Sequence, residues 1–362
     1  MIKVGIIGYG YSTKTFHIPL IEASQQFDLV AISSSQSEVV KDKYPFITVF
    51  RTAAELISNA IVDLIVIAAP NQAHYSLAKS CMQQGLHVIL EKPMVTNSLQ
   101  GQLLVEFAKK YSVILSVFHN RRWDGDFLTV KKLLNNMVLG DKGDLGKKGG
   151  IGDIRYFESH FDRFRPVVRK RWKEESGPGG GIWFDLGSHL VDQAICLFGL
   201  PDSVTGRCLT SRENSEVTDY FHVILHYKQF EAVLHASSFA AGPNRRFYME
   251  GTKGSFIKYG FDPQEEQLKK GISPSEKGFG AERPQEYGTL YHENKKRQVE
   301  TEVGCYQHFY VGIANAIKNG IDCPVNCEDA INVIKILELA EESSRAGSSM
   351  PLNNLLFNKI EN

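Results

Sequence analysis

A chain of 362 residues exceeds what one ordinary hydrophobic core serves, so two domains of roughly 100–200 residues each are expected. Hydrophobic residues make up 43% and charged residues 23%, the balance of a chain that folds rather than one that stays disordered. Lys plus Arg and Asp plus Glu both count 41, so no net field draws the chain to nucleic acid or to an anionic membrane surface.

Met1 to Gly5 runs straight into a strand with no signal-peptide pattern, and no apolar run approaches the roughly 20 residues of a membrane span. Six cysteines (Cys81, Cys196, Cys208, Cys305, Cys323 and Cys327) are scattered without the density of a disulfide scaffold, and a reducing cytoplasm is the expected setting. Cys323 and Cys327 have no second His or Cys pair nearby, so no metal is assigned from the sequence.

Up to about Phe118, short β-rich runs alternate with helical segments. The runs are Ile2 to Ile7, Leu29 to Ser33, Thr48 to Phe50, Leu64 to Ala68, His87 to Leu90 and Val113 to Phe118. Their continuous apolar character suits strands buried on both faces, and Ala73 to Gln84 and Leu99 to Lys110 carry apolar residues at helical spacing. Residues 1–121 therefore read as an α/β, Rossmann-type doubly wound domain with a parallel sheet.

Residues 122–362 read as an α+β domain with a largely antiparallel open sheet. A helix is expected over Phe127 to Asn136, then an exposed Gly- and Lys-rich loop over Gly140 to Gly152. Strands are expected at Ile154 to Phe164, Val204 to Leu209, Tyr220 to Tyr227, Ala232 to Ser237, Phe247 to Gly251 and Ser255 to Tyr259. Helices over Phe184 to Phe198, Tyr306 to Asn319 and Glu328 to Ser344 would cover one face of that sheet. Pro263 to Glu286, rich in Pro, Gly and charge, reads as a long loop.

The first strand leads into Gly8-Tyr9-Gly10-Tyr11-Ser12-Thr13, a Gly-x-Gly-x-x-Thr version of the dinucleotide fingerprint. Gly8 permits the tight turn, Gly10 lets a pyrophosphate approach the backbone, and the helix N-terminus that follows supplies N–H groups and a positive dipole. Thr13 in place of a third glycine would widen the strand–helix packing, and Pro19 would bend the helix or delay its regular part. The second strand ends in Ser33-Ser34-Ser35, without the carboxylate that binds the ribose hydroxyls and repels a 2′-phosphate. Hydroxyl donors there, with Lys41 or Lys43, favour NADP(H) over NAD(H), which stays open.

Leu90-Glu91-Lys92-Pro93 ends the fifth strand at the carboxyl edge of the sheet, with Glu91 a natural ion-pair partner for Lys92. Farther on, Asp185, His189 and Asp192 stand at i, i+4 and i+7 after Gly179-Gly180-Gly181, a polar stripe on an otherwise apolar helix.

Taken in order, Gly8-x-Gly10, Ala69-Pro70-Asn71-x-x-His74, Glu91-Lys92-Pro93 and Gly180-Gly181-x-x-x-Asp185-x-Gly187-x-His189-x-x-Asp192 resemble the Gfo/Idh/MocA oxidoreductase family. The strings Phe118 to Asp124, Asp219 to His222 and Ile257 to Gly260 are similar to its branch of NADP-dependent scyllo-inositol dehydrogenases. The resemblance implies a polyol or sugar substrate, an open sheet forming a homodimer or homotetramer face, and Lys92 and His189 beside the nicotinamide, with Asp185 positioning substrate or His189. It also places Pro70, Asn71 and His74 near the nicotinamide half of the cofactor, Asn120 and Arg121 at substrate or cofactor, and Trp172 packed on the cofactor. His189 reads as the principal acid/base, with Lys92 orienting substrate or sharing the proton, a division that can be reversed. A cofactor-binding protein without turnover, or a different reduction or glycoside cleavage on the same scaffold, are the competing readings.

Overall fold

The computed structural model of the chain describes residues 1–138, 150–169 and 174–352. The expected loop over Gly140 to Gly152 lies almost wholly outside these residues. Two compact units are present: Met1–Leu128 with Asp262–Glu282 and Thr301–Ile334, and Thr129–Phe261 with Arg283–Glu300 and Lys335–Asn362.

The first unit is built on six parallel strands: β1 (Ile2–Ile7), β2 (Phe27–Ser33), β3 (Thr48–Phe50), β4 (Leu64–Ile67), β5 (His87–Leu90) and β6 (Leu115–Val117), in the order β3-β2-β1-β4-β5-β6. That is the doubly wound order, and it puts the carboxyl ends of β1 and β4 at the point where the connections reverse. Every β4 residue is fully buried, which gives roughly 1.5–3 kcal/mol of stabilisation per side chain as an upper bound. Helices α1 (Ile18–Glu22), α2 (Ser37–Lys43), α3 (Ala53–Asn59), α4 (His74–Gln83) and α5 (Ser98–Lys110) connect the strands. Thr52 and Glu55 form a reciprocal capping box at the start of α3, and Asn97 caps α5 through the Gln100 N–H. A π-helical turn, Thr13–His17, precedes α1. Pro19 has no N–H to continue a regular ladder, and the first α-helical residue is Ile18.

The helix α6 (Gly125–Val138) follows, and β7 (Ile154–His160) opens the sheet of the second unit. Its other strands are β8 (Ser203–Leu209), β9 (Tyr220–His226), β10 (Glu231–Ser237), β11 (Phe247–Gly251), β12 (Ser255–Lys258), β13 (Gly288–His292), β14 (Lys295–Val299) and β15 (Met350–Pro351). Their order is β14-β13-β12-β11-β7-β10-β9-β8-β15, antiparallel throughout except for β7 beside β10. Burial alternates along β9, with Phe221, Val223 and Leu225 inward and Tyr220, His222 and Ile224 on the other face. The helix α7 (Ser188–Phe198) packs on the inward face, where the Phe198 ring meets Phe157 of β7 at 5.0 Å.

Two expectations change. Pro263 to Glu286 is not only loop: it holds α8 (Gln264–Lys269) and a short turn at Pro284–Glu286, and Asp262 stabilises the start of α8 by accepting the Gln264 N–H at 2.9 Å. The helix α9 (Gln307–Asn319) belongs to the first unit rather than covering the second sheet. Its Phe309 and Tyr310 rings pack on Phe118 at 5.0 and 6.2 Å. The remaining helix is α10 (Cys327–Ala346). Among the described residues no helix is long and apolar enough to cross a membrane.

Candidate active site

In the first unit, β1 delivers Gly8 to the switch point with φ +101°, and a Cβ there would stand 2.5 Å from the Ala68 carbonyl oxygen. Only glycine lets the chain turn so close to the end of β4. The Gly8 N–H donates to the Ser33 carbonyl at 3.0 Å, which ties the loop to the end of β2. Gly10 differs in that a Cβ would meet nothing within 4 Å. The space beside this backbone is what a pyrophosphate requires, so the loop fits the dinucleotide implied by the fingerprint. The Thr13 hydroxyl donates back to the Gly8 carbonyl at 2.8 Å and closes the loop where the fingerprint ordinarily has a third glycine.

Carboxylates hold the two neighbouring side chains. Tyr11 donates to Glu265 of α8 at 2.7 Å, and Ser12 donates to Glu91. Burial and the bond to Glu265 push the Tyr11 phenol up to about 12, so it remains a donor at neutral pH. Glu265 is also paired with Arg121 at 2.6 Å and with Lys269 at 3.2 Å.

Ser33 and Ser34 are buried at the end of β2, and the Ser34 hydroxyl accepts the Gln36 N–H at 3.0 Å. No carboxylate occupies residues 33–35. Of the two lysines considered for this region, Lys41 pairs with Glu38 at 3.3 Å and Lys43 lies 5.5 Å from the Tyr44 ring centre.

Past β4, Pro70 leads into a turn at Asn71–Ala73, and Asn71 is buried. His74 has Nδ1 3.1 Å from the Pro93 carbonyl and Nε2 3.0 Å from the Ala69 carbonyl. Its burial lowers its pKa, against the pull of those carbonyls, and the neutral ring so favoured has one N–H to donate, either to the Ala69 corner or to the segment after Lys92. The Lys92–Pro93 peptide is cis.

Glu91 is the hub of the first unit. It accepts from Ser12, lies 2.9 Å from His17 Nε2, and receives the Lys92 N–H at 3.0 Å. Burial would raise its pKa, but the bonds from His17 and Ser12 and the nearby Lys92 charge hold it down to about 2. On its other side His17 meets the Tyr310 hydroxyl at 2.7 Å. Sequence reasoning missed His17, Tyr310 and Glu265. For His17 there was one signal, a histidine between Phe16 and Ile18 on an apolar helix. Glu265 joins Tyr11 across 254 positions and carries no local signal. Asn120 is buried in the turn after β6, and Arg121 is held by Asp124 at 3.4 Å and by Glu265.

In the second unit, Gly181 has φ +79° and a Cβ there would come within 2.8 Å of the Thr218 carbonyl oxygen, so the glycines admit another stretch of backbone. A π-helical turn, Trp183–Gly187, then leads into α7. The buried Trp183 donates from Nε1 to the Leu337 carbonyl at 3.0 Å, and its ring fills the place where a Cβ on Gly187 would stand. This turn carries a half-buried Asp185, whereas His189 and Asp192 are buried on α7. The stripe therefore starts in a π turn, a feature often found at functional sites, rather than running at plain α spacing. Trp172 lies outside the described residues.

The comparisons with known proteins agree with this architecture. The model described as the oxidoreductase family's NAD-binding Rossmann fold matches residues 2–119, and that of its C-terminal α/β domain matches residues 147–352. The chain is 43% identical to the Escherichia coli oxidoreductase YdgJ over 97% of this chain and 99% of that one. It is 38% identical to the Bacillus subtilis protein named scyllo-inositol 2-dehydrogenase (NADP(+)) IolW, over 98% and 96%. The solved structure of the oxidoreductase yvaA from Bacillus subtilis superposes with a TM-score of 0.89 at 38% identity, covering 97% of this chain and 98% of that one. With both family models matched in order on the two sheets described above, the chain belongs to the Gfo/Idh/MocA oxidoreductase family.

Proposed function

We propose that this oxidoreductase is an NADP(H)-linked dehydrogenase that interconverts a hydroxyl and a ketone on a cyclic polyol of the inositol type or on a sugar. One observation carries the cofactor choice: the end of β2 has Ser33 and Ser34 in place of the carboxylate that would exclude a 2′-phosphate. The relative named as an NADP-dependent scyllo-inositol dehydrogenase supports the same cofactor and substrate class.

In this reading residues 1–121 form the cofactor domain and residues 122–362 the substrate and oligomerisation domain. Gly8, Gly10, Tyr11, Ser12 and Thr13 hold the pyrophosphate, and Ser33 and Ser34 the adenosine ribose phosphate. Pro70, Asn71, His74, Glu91, Lys92 and Trp172 line the nicotinamide half. The nicotinamide, when bound, takes up or returns the hydride. His189 removes the carbinol proton as hydride leaves, Lys92 orients the oxygen and shares that proton, and Asp185 positions His189 or the substrate. Asn120 and Arg121 contact the substrate. The enzyme works in the cytoplasm as a homodimer or homotetramer joined through the outer face of the second sheet.

The test follows absorbance of the reduced nicotinamide while inositols, aldoses and their keto forms are screened with each cofactor. Turnover with NAD and none with NADP would overturn the cofactor choice. His189→Ala and Lys92→Ala should each keep cofactor affinity and lose most turnover, by roughly 10²–10⁴-fold for an acid/base group. Undiminished turnover in both variants would overturn the catalytic assignment.

A further inference from the structure

We propose that His160, Asp162 and His235 form a binding site for one divalent transition-metal ion of the zinc class. β7 and β10 run side by side in parallel with His235 opposite His160, and β9 sets His222 opposite His235, so the three imidazoles share one face of the sheet. The His160 and His235 rings lie 4.9 Å apart, and those of His222 and His235 5.9 Å apart. Asp162, two residues past β7, is aimed between the first pair by backbone bonds. Its N–H donates to Asn244 Oδ1 at 2.8 Å, and its Oδ1 accepts the Ser237 N–H at 2.9 Å. The carboxylate then stands 3.2 Å from His160 Nδ1 and 2.9 Å from His235 Nδ1. One ligand atom from each residue falls within 4.8 Å of the others. A tetrahedral ion with bonds of about 2.0–2.1 Å separates its ligands by about 3.3 Å, so the most distant of these ligand atoms would draw together by up to about 1.5 Å to admit it.

Two features go beyond proximity. His160 Nε2 faces Glu158 Oε2 at 3.0 Å, and Glu158 is held in turn by Tyr156 at 2.5 Å and by Arg245. A carboxylate on the far nitrogen fixes the tautomer of a metal-binding histidine and leaves the lone pair of Nδ1 directed at the ion. Secondly, His235 Nδ1 is closed to solvent and, despite its short approach to Asp162, makes no properly angled hydrogen bond among the described residues. A ring nitrogen set for charge contact but not for N–H···O alignment suits a ligand better than a donor. Two imidazoles and one carboxylate select zinc, cobalt or nickel over magnesium or calcium, which take oxygen ligands. The fourth position is left to water. In the single chain these side chains are 12–17% exposed.

The test uses the tag-free, full-length, chelator-treated protein, titrated with Co²⁺ while visible absorption is followed and with Zn²⁺ by calorimetry. One equivalent per chain is expected, with the visible band of tetrahedral cobalt. Glu158→Gln should weaken uptake by roughly 10–100-fold and His235→Ala by at least as much. His226→Ala, whose ring pairs with Glu231 and Thr205 instead, should change nothing. Where circular dichroism shows that His235→Ala has not folded, Glu158→Gln decides. No uptake, or uptake indifferent to both Glu158→Gln and His235→Ala, overturns the proposal and leaves a ladder of hydrogen-bonded ion pairs.

Discussion

Replacing Glu91 by Gln removes one charge while keeping a side chain of the same shape. In the native protein this carboxylate accepts from Ser12, faces His17 Nε2 at 2.9 Å and receives the Lys92 N–H at 3.0 Å. An amide can accept from one of these through its oxygen and must turn its NH₂ toward another. A carboxyl pKa lowered from about 4.3 to about 2 corresponds to about 3 kcal/mol of stability at neutral pH. The folded pKa is the depressed one, so this stability is present above about pH 5 and is lost as pH falls toward 2. Urea unfolding followed by circular dichroism on both proteins from pH 7 downward measures it. Glu91→Gln should be less stable by about 3 kcal/mol at pH 7, and the gap should close progressively below pH 5. Comparing the two proteins cancels the other acidic groups, Asp162 and Glu265 among them, that also lose stabilisation in acid. A gap under about 1 kcal/mol, the scale of an exposed ion pair, or one that stays constant across the pH range, would refute the reasoning.

The two glycines of the dinucleotide loop should fail differently. Gly8→Ala forces a Cβ against the Ala68 carbonyl at φ +101° and should lose roughly 1–3 kcal/mol of stability, whereas Gly10→Ala should melt as the parent does and yet bind NADPH more weakly in a fluorescence titration. A Gly10→Ala protein with parental affinity would exclude this backbone from the phosphate site. Ser34→Asp keeps an acceptor for the Gln36 N–H and puts a carboxylate at the end of β2. The ratio of NADH to NADPH affinity should rise by at least about tenfold, about 1.4 kcal/mol, and an unchanged ratio would remove β2 from cofactor selection.

How far the sequence could be read follows from the range of each interaction. The strand Leu64–Ile67 is four apolar residues buried on both faces, and such a run names itself. Gly8 was legible for a similar reason, since a tight turn after a first strand needs positive φ and only glycine takes it without strain. β14 was missed because Lys295, Lys296, Arg297 and Gln298 carry no apolar alternation. Charge is how an edge strand resists pairing with other chains, so the signal for the edge conceals the strand. The short α8 lay in a stretch whose Pro, Gly and charge read as loop, and its helical start depends on Asp262, which also receives the Gly125 N–H at 2.7 Å from 137 positions away. The placement of α9 was misjudged because its apolar face is evident in sequence but the surface that receives it, Phe118 and His17, is not. The Asp185, His189 and Asp192 spacing was visible, whereas neither the π turn that carries Asp185 nor the packing of the Trp183 ring over Gly187 is encoded in sequence periodicity.

The braces on the dinucleotide loop raise an electrostatic question that bears on the proposed cofactor. Glu91 and Glu265 stand behind a loop meant to attract an anionic pyrophosphate, and two bare carboxylates would work against it. Neither is bare. Glu265 is matched by Arg121 and Lys269, and Glu91 has the adjacent Lys92 charge beside it. Each brace therefore immobilises a loop side chain without leaving a net negative field at the helix end, so the unpaired N–H groups and the dipole keep their sign. The partners arrive from α8, from the turn after β6 and from the helical segment that follows the loop, so the fingerprint residues supply the shape of the site and distant residues supply its rigidity and charge balance. A Gly-x-Gly loop lacking such partners would share the motif while holding its phosphate less firmly.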